Sequence, residues 1–191
     1  VSHVCNDVMR TFELPVMARA GARLGLWIPI SRMAEQQLQA LRYATFYMPY
    51  TVDPAVFTPR LADGLTRSGL RERWGIPHDA YVISNFMRDS RGDDLNQPKP
   101  QKGCELLVNL LRLVQGAGRP VHVLLAGPRR HWMRAQLRAQ AIPFTFVGQE
   151  LAGDDNHCNI LDPATINLLY HASDVHVVCS RWEGGPRAVL E

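Results

Sequence analysis

The sequence predicts an α/β fold: a Rossmann-like parallel sheet with helices on both of its faces. Short apolar segments alternate with longer segments of helical periodicity from Tyr81 onward. The short segments are rich in β-branched residues, as the strands of a buried parallel sheet are. A helix start is marked by Asp162, which can cap it, and by Pro163 at its first position. Strand and helix alternation of this kind is typical of a parallel sheet covered by helices.

Four strands are predicted in this part of the chain. They cover residues 81–86 (YVISNF), 121–126 (VHVLLA), 144–147 (FTFV) and 174–179 (DVHVVC). Helices are predicted between them, over residues 105–114, 131–140 and 162–172, and a further helix is expected to start at Pro186. The first of these helices carries an apolar face made of Leu106, Leu107, Leu110, Leu111 and Val114.

The first 60 residues are interpreted as a separate, incomplete unit. VSHVCN is typical of the end of a strand, and the segment from Leu24 to Ser31 is also strand-like. Ser31 can cap the helix that is predicted over MAEQQLQAL. FYMPYTVDPAVFTP then contains three prolines, which preclude a long helix and indicate a crossing segment. We therefore expect a domain boundary near Arg60, with residues 1–60 ending one Rossmann-like domain and residues 61–191 forming another.

Composition narrows the class of protein. The chain is 46% hydrophobic and 20% charged, which is ordinary for a globular protein, and its net charge of +3 does not indicate a nucleic-acid partner. No apolar segment reaches the roughly 18 residues of a membrane helix, and no signal-peptide pattern opens the chain. The four cysteines are dispersed, which indicates free thiols in a reducing compartment. We expect a cytoplasmic protein.

The loop after the last strand suits a nucleotide-sugar. Ligands of such sheets bind beyond the carboxyl ends of the strands. Gly184 and Gly185 allow backbone N–H groups to approach a ligand, and the following helix directs its positive end to the same place. Glu183 before this turn and Glu191 in the helix could accept hydrogen bonds from hydroxyls at the two ends of a diphosphate-bridged molecule. Alternatively, both are ordinary helix carboxylates in solvent.

The loop after the first strand of this sheet adds two cations. Arg88 lies just past the strand, and Lys102 opens the next helix. Together they could clamp a diphosphate, the arginine as a fork and the lysine as a point charge. Alternatively, each is a solvated surface charge. The 13 mostly polar residues between them, Asp89 to Gln101, predict a mobile loop outside the core.

The segment LLYHASDVHVVCSRWEGGPRAVLE resembles the donor-binding signature of retaining GT-B glycosyltransferases of family 4, also called glycosyl transferases group 1. YTVDPAVFTP is similar to the interdomain segment of that family, and LLAGP is similar to its second loop. NFMRDS, together with the later KG, is similar to the segments that carry the family's arginine and lysine pair. The resemblance runs from about Ile28 to Glu191 and implies a retaining, metal-independent hexosyltransferase of carbohydrate biosynthesis.

The resemblance also implies roles for single residues. Arg88 and Lys102 would hold the donor diphosphate and neutralise it as it leaves. Glu183 would contact the transferred sugar, Gly184 and Gly185 would offer backbone donors, and Glu191 would bind the ribose. Val147 and Gly148 would lie beside the base. No cofactor is implied, because the nucleotide-sugar is the donor substrate, and the acceptor would be a saccharide or a lipid-linked molecule.

The chain departs from the family pattern in four places. Gly185 stands where the family often has a bulkier residue, and Arg91 is the alternative to Arg88 because an insert follows. A second insert covers Gln149 to Ile160. The family also has an acceptor-side domain and closing helices in its donor domain. This sequence has no counterpart of those helices or of most of the acceptor-side domain. We therefore expect a fragment, inactive alone and prone to self-association through exposed apolar surface; a natural minimal protein is the alternative.

His171, His176 and Cys179 do not predict a metal site, because His176 and Cys179 would point to opposite faces of a strand. LLAGPRR lacks the later glycines of a dinucleotide-binding loop. His3 at a strand end could face the sugar. The basic helix face formed by Arg129, Arg130, Arg134 and Arg138 predicts a solvated surface, with contact to anionic lipid at the membrane periphery as the alternative.

Two other functions remain open from sequence. The first is a non-catalytic nucleotide- or sugar-binding module. The second, more distant, is a nucleotide-sugar epimerase of the same architecture.

Overall fold

The computed structural model describes residues 2–4, 25–118, 120–181 and 187–191. The described chain forms two compact units, one of Val1–Val52 with Trp182–Leu190 and one of Asp53–Arg181 with Glu191. The interpretation of residues 1–60 as the end of an acceptor-side domain, and of residues 61–191 as a donor-binding domain, stays a prediction.

The smaller unit contains a two-stranded parallel sheet of β1 (Ser2–Val4) and β2 (Trp27–Pro29). Helix α1 (Arg32–Ala40) follows and buries Ala34 and Leu38. The hydroxyl of Ser31 accepts a hydrogen bond of 3.2 Å from the amide of Ala34, which confirms the predicted helix cap. The short helix α6 (Arg187–Leu190) also belongs to this unit.

The larger unit is built on a four-stranded parallel sheet, which confirms the predicted fold class. Its strands are β3 (Tyr81–Asn85), β4 (Val121–Ala126), β5 (Phe144–Val147) and β6 (Val175–His176). Their spatial order is β5-β4-β3-β6. The last strand is shorter than predicted, and just beyond it the side-chain amide of Asn85 donates to the carbonyl of Val177 at 2.7 Å.

Two helices cover each face of this sheet. α3 (Cys104–Gly116) and α4 (His131–Ala139) pack on the face that carries Val123 and Leu125. α2 (Arg67–Arg73) and α5 (Pro163–Ala172) pack on the opposite face, against Val82 and Leu124. Alternate side chains of the central strands therefore belong to two separate cores, as strand geometry requires.

Helix α2 was not predicted from sequence. Leu70 is its single large apolar residue, and its second buried side chain is Arg71. Arg71 donates to the carbonyl of Ala172 at 3.0 Å and pairs with Asp174 at 2.7 Å, so this helix is attached to the core largely by polar contacts. The cap of α5 is as predicted, with Asp162 accepting from the amide of Thr165 at 2.9 Å.

The apolar face predicted for α3 is rotated. Leu107 and Leu111 are buried with Val108, whereas Leu106 is 45% exposed and Leu110 is 37% exposed. The rotation arises because Cys104 and Val108 also enter the core, which moves the buried stripe around the helix. Self-association through exposed apolar surface stays a prediction.

Candidate functional site

The segment that follows β3 is a closed hairpin at the carboxyl edge of the sheet. The amide of Lys99 donates to the carbonyl of Asp89 at 2.6 Å, and the amide of Arg91 donates to the carbonyl of Gln97 at 3.0 Å. Ser90 and Pro98 form an antiparallel bridge between these two bonds. The chain thus returns to its starting point, and Arg88 and Lys102 flank the base of the hairpin.

Two polar residues at the start of this hairpin are buried, contrary to the prediction of a loop outside the core. Asp89 and Ser90 are each 1% exposed. The Asp89 carboxylate accepts from the amide of Met133 at 3.1 Å, and the Ser90 hydroxyl accepts from the amide of Trp132 at 2.8 Å. These side chains satisfy free N–H groups in the first turn of α4 and so anchor the hairpin to that helix.

A fully buried arginine completes this anchor. The guanidinium of Arg130 pairs with the Asp89 carboxylate at 3.1 Å and donates to the side-chain oxygen of Asn85 at 2.8 Å. Burial raises the pKa of Asp89, while Arg130 and the hydrogen bonds from Met133 and Ser90 oppose that shift. The carboxyl edge of the sheet is therefore preorganised by a polar network with little access to water.

Lys102 lies next to the chain that leads to the predicted glutamate loop. It is half-buried at the end of a 3₁₀ turn, Pro100–Lys102, and is followed by Gly103 in the left-handed conformation. A Cβ atom at Gly103 would lie 2.1 Å from the carbonyl oxygen of Cys179, and the amide of Arg181 donates to the carbonyl of Gln101 at 2.8 Å. The two loops therefore run side by side.

The predicted cations differ in their surroundings. Arg88 is exposed beside the base of the hairpin. Arg91, the alternative, lies inside the hairpin, and its guanidinium makes an ion pair with Asp93. The assignment of Arg88 to the donor diphosphate, with Arg91 as its alternative, stays a prediction. Glu183, Gly184 and Gly185 lie outside the described residues.

Glu191 is half-buried and hydrogen-bonded. The hydroxyl of Tyr170 in α5 donates to its Oε2 atom at 3.0 Å. The ring of Tyr170 contacts His176 edge to face, with centroids 4.9 Å apart, and Phe86 at 5.2 Å. His176 also contacts Phe86 at 4.9 Å. These three rings form a cluster where β3 and β6 end.

The second insert covers the end of β5 beside Val147 and Gly148. A Cβ atom at Gly148 would lie 2.7 Å from the Oδ1 atom of Asn159. The Asn159 side chain accepts from the amide of Gln149 at 2.6 Å and donates to its carbonyl at 2.9 Å. Because both backbone groups of Gln149 are paired within the chain, a base beside Gly148 would have to use other groups.

Buried Asp155 ties this insert to the turn after β4. Its carboxylate accepts from the amide of Arg129 at 2.7 Å and from the side chain of Asn159 at 2.6 Å. The carbonyl of Arg129 in turn accepts from the amides of Asp89 and Ser90, each at 3.1 Å. Arg129 thus connects the insert with the hairpin after β3.

The arginines of α4 and the turn before it do not form the solvated basic face predicted from sequence. Arg130 and Arg134 are buried, and the larger part of this positive charge is neutralised by acidic residues of the two inserts. The ion pairs are Arg129 with Asp154 at 2.7 Å, Arg130 with Asp89 at 3.1 Å, Arg134 with Glu150 at 3.1 Å and Arg138 with Glu150 at 2.6 Å. Contact with anionic lipid stays a prediction, and these pairs do not favour it.

Within residues 2–4, 25–118, 120–181 and 187–191, no three His, Cys, Asp or Glu side chains gather as metal ligands would. None of the helices that the structure describes is long and apolar enough to cross a membrane. His3 lies in β1, and the structure does not describe its side chain.

Sequence reasoning missed several residues at this edge: Asn85, Asp89, Tyr170 and the buried position of Arg130. One signal was available. Asp89 and Arg130 have opposite charges and follow adjacent parallel strands at similar distances, so the fold brings them to one edge. No sequence signal identified the hydrogen bond from Tyr170, because it depends on the position of the last residue relative to α5.

No protein-family model matches the chain, and no curated protein matches it. Among solved structures, the chain is similar to a glycosyltransferase from Rickettsia africae ESF-5, with a TM-score of 0.55 and 16% sequence identity. The similarity covers 94% of this chain and 43% of that one. This chain therefore spans less than half the length of that structure, and at such low identity the similarity shows the fold.

Proposed function

We propose that this chain is the donor-binding part of a retaining glycosyltransferase of the GT-B type, resembling family 4, that takes a hexose from a nucleotide-sugar. The observation that carries the proposal is the closed hairpin after β3, which places Arg88 and Lys102 at its base on the carboxyl edge. The similarity in fold to a protein described as a glycosyltransferase supports it.

The two cations would hold the diphosphate of the donor. Lys102 is fixed by its 3₁₀ turn and by the close approach of Gly103 to Cys179, whereas Arg88 is exposed and can reach toward a ligand. The positive charges of Arg88 and Lys102 would stabilise the negative charge that develops on the leaving nucleoside diphosphate. The proposal assigns this role to the two side chains and calls for no cofactor.

The sugar and the nucleoside would lie on either side of the diphosphate. The strand end that leads to Glu183 passes beside the turn of Lys102, so a carboxylate there would be near the transferred sugar. Gly184 and Gly185 would offer backbone N–H groups. Glu191 would accept from the ribose, and Val147 and Gly148 would border the base.

The reaction would proceed with retention of configuration at the sugar. The bond between the sugar and the diphosphate breaks, and the electron pair leaves with the diphosphate. An acceptor hydroxyl then approaches the same face of the oxocarbenium-like sugar, forms the new bond and passes its proton to an oxygen of the departing diphosphate. The acceptor would be a saccharide or a lipid-linked molecule and would be held chiefly by an acceptor-side domain.

Thermal-shift screening against UDP-, GDP- and ADP-sugars tests the binding step. A ligand present at 100 times its dissociation constant should stabilise the fold by about 2.7 kcal/mol. Stabilisation by one class of nucleotide-sugar, but not by free monosaccharides, is the expected result. Absence of a shift with all three classes at millimolar concentration would contradict the proposal.

A non-catalytic nucleotide- or sugar-binding module is the second candidate. The observation that favours it is that the similarity to the solved glycosyltransferase, at 16% identity, extends to the fold alone, which a binding module without catalysis could share. The two candidates differ in turnover. A transferase supplied with an acceptor releases nucleoside diphosphate, whereas a module binds the nucleotide-sugar and leaves it intact.

A further inference from the structure

A half-buried tyrosine contacts the carboxylate that we assign to the ribose. The hydroxyl of Tyr170 donates to the Oε2 atom of Glu191 over 3.0 Å. Tyr170 belongs to α5, a helix of the larger unit's core that is capped by Asp162. Glu191 follows the four-residue helix α6, which is too short to fix a side chain by itself. The hydrogen bond therefore ties the Glu191 side chain to a residue of α5.

The ring of Tyr170 has little freedom to turn. It contacts Phe57 at 6.4 Å, Phe86 at 5.2 Å and His176 at 4.9 Å between ring centroids. Tyrosine has two side-chain torsions before its hydroxyl, and neighbouring rings on several sides restrict both of them. The hydroxyl is thus held at one place, where it can select one rotamer of the glutamate.

The surroundings of this hydrogen bond keep the Tyr170 hydroxyl protonated, so that it acts as the donor. Burial raises the pKa of its hydroxyl, and the negative charge of Glu191 raises it further, so the proton stays on the tyrosine. Burial and the charge of Arg130 lower the pKa of His176 to about 4, so the imidazole beside the ring is neutral near pH 7. The His176 ring therefore does not compete with Tyr170 for the carboxylate as a cation.

We propose that Tyr170 is a positioning residue that orients Glu191 toward the ribose hydroxyls and thereby makes the site selective for ribonucleotides over deoxyribonucleotides. This inference rests on the proposed function, because it assumes that Glu191 accepts from the ribose. A site built to hydrogen-bond a hydroxyl rejects the analogue that lacks it, since the polar group of the protein is then left without its partner. The selectivity requires the carboxylate to be held in place before the ligand arrives.

The test measures ribose selectivity in the whole chain. Dissociation constants are determined for UDP, GDP and ADP and for the 2′-deoxy and 3′-deoxy forms of whichever of them binds. The parent should prefer the ribonucleotide by roughly tenfold or more, the effect of one hydrogen bond to a charged group. Tyr170→Phe removes one oxygen atom and should lose most of that preference while its affinity for the deoxy forms stays unchanged.

Two further variants distinguish a lost orientation of Glu191 from an unspecific loss of stability or affinity. Tyr50→Phe removes a hydroxyl from an exposed tyrosine and should keep the full preference. Glu191→Ala should abolish the preference, and adding Tyr170→Phe to it should change nothing more, because the two residues act through one contact. If Tyr170→Phe does not unfold cooperatively in urea, Glu191→Gln, which keeps the shape of the side chain, must show the same loss.

The possible failures are distinguishable. A parent that binds none of the three diphosphates would overturn both the proposed function and this inference. A parent that binds a diphosphate without preferring the ribose form would overturn the inference alone. So would a Tyr170→Phe variant that folds and keeps the preference of the parent.

Discussion

At the scale of single residues, the carboxyl edge of the sheet depends on charges that have been removed from water. Arg130 and Asp89 are both almost completely buried, and each is the main electrostatic partner of the other. Their attraction must offset the desolvation of two ions. The hydrogen bonds that Ser90 and Met133 donate to Asp89, and the one that Asn85 accepts from Arg130, contribute to that balance.

Removal of one member of this pair should be strongly destabilising. Asp89→Ala leaves the Arg130 guanidinium buried without its counter-ion and leaves the amide of Met133 in α4 without its acceptor. We expect the free energy of unfolding in urea to fall by about 3–5 kcal/mol. Asp63→Ala, at an exposed position, should change it by less than about 0.5 kcal/mol. A loss below about 1 kcal/mol at Asp89 would mean that the pair is not closed in solution.

His176 should make stability depend on pH. Its pKa in the folded protein is lowered to about 4 by burial and by Arg130, from an ordinary value near 6.5. Between these values the unfolded chain binds a proton that the folded chain does not, so stability falls as pH drops from about 6.5 toward 4. The linked loss is up to about 3 kcal/mol. His122, whose pKa is also lowered by burial, adds to the slope of the parent.

Urea unfolding at several pH values isolates the contribution of His176. His176→Phe keeps an aromatic ring next to Phe86 and Tyr170 but cannot bind a proton, so its stability should vary less between pH 4 and 6.5. His157→Gln, at an exposed position, should retain the parent slope. Equal slopes in the parent and in His176→Phe would show that the imidazole is solvated.

At this scale, the sequence indicated which charged residues are present but not which of them are buried. Arg129, Arg130, Arg134 and Arg138 look alike in sequence, yet Arg130 is fully buried and Arg138 is largely in solvent. The difference comes from acidic partners that lie distant in sequence. Glu150 and Asp154 belong to an insert whose course could not be inferred from local patterns.

At the scale of elements, the strands and most helices of the larger unit follow directly from periodicity. β4 and β5 have the predicted bounds, and Asp162 caps α5 as expected. Helix α2 was missed because polar contacts rather than an apolar face attach it to the core. The hairpin after β3 was missed because its stability depends on Asp89 and Ser90, which contact α4.

The junction between the Lys102 turn and α3 should be sensitive to a single methyl group. Gly103→Ala adds a Cβ atom at φ +58°, only 2.1 Å from the backbone oxygen of Cys179. Gly118→Ala has similar strain at φ +78° but meets nothing within 4 Å. Gly118→Ala should therefore cost about 1 kcal/mol of unfolding free energy, and Gly103→Ala clearly more.

Comparison of the two glycine variants isolates the close approach of the two loops. In Gly103→Ala the turn and the strand end must separate, so nucleotide affinity should fall together with stability. In Gly118→Ala the affinity should match that of the parent. Equal losses of stability in urea for the two variants would mean that the loops are not in contact in solution.

At the scale of the whole molecule, parallel topology brings together residues that are far apart in sequence. All four strands of the larger sheet run the same way, so their loops meet at one edge. Arg88, Lys102 and the chain leading to Glu183 could therefore be assigned to one place from sequence alone. The arrangement of the side chains at that edge could not be predicted from sequence, because it depends on contacts among Asp89, Arg130 and the second insert.

The central claim is that Arg88 and Lys102 hold the diphosphate of a nucleotide donor, and the most direct test is titration of Lys102→Ala and Arg88→Ala with the nucleoside diphosphate that the parent binds best. Each substitution should weaken binding by about 1.5–3 kcal/mol, the range for hydrogen bonds to charged groups. Arg112→Ala removes an exposed positive charge from α3 and should leave the affinity unchanged. If Lys102→Ala and Arg88→Ala folded and bound the diphosphate as tightly as the parent does, the assignment of this edge to a nucleotide donor would be wrong.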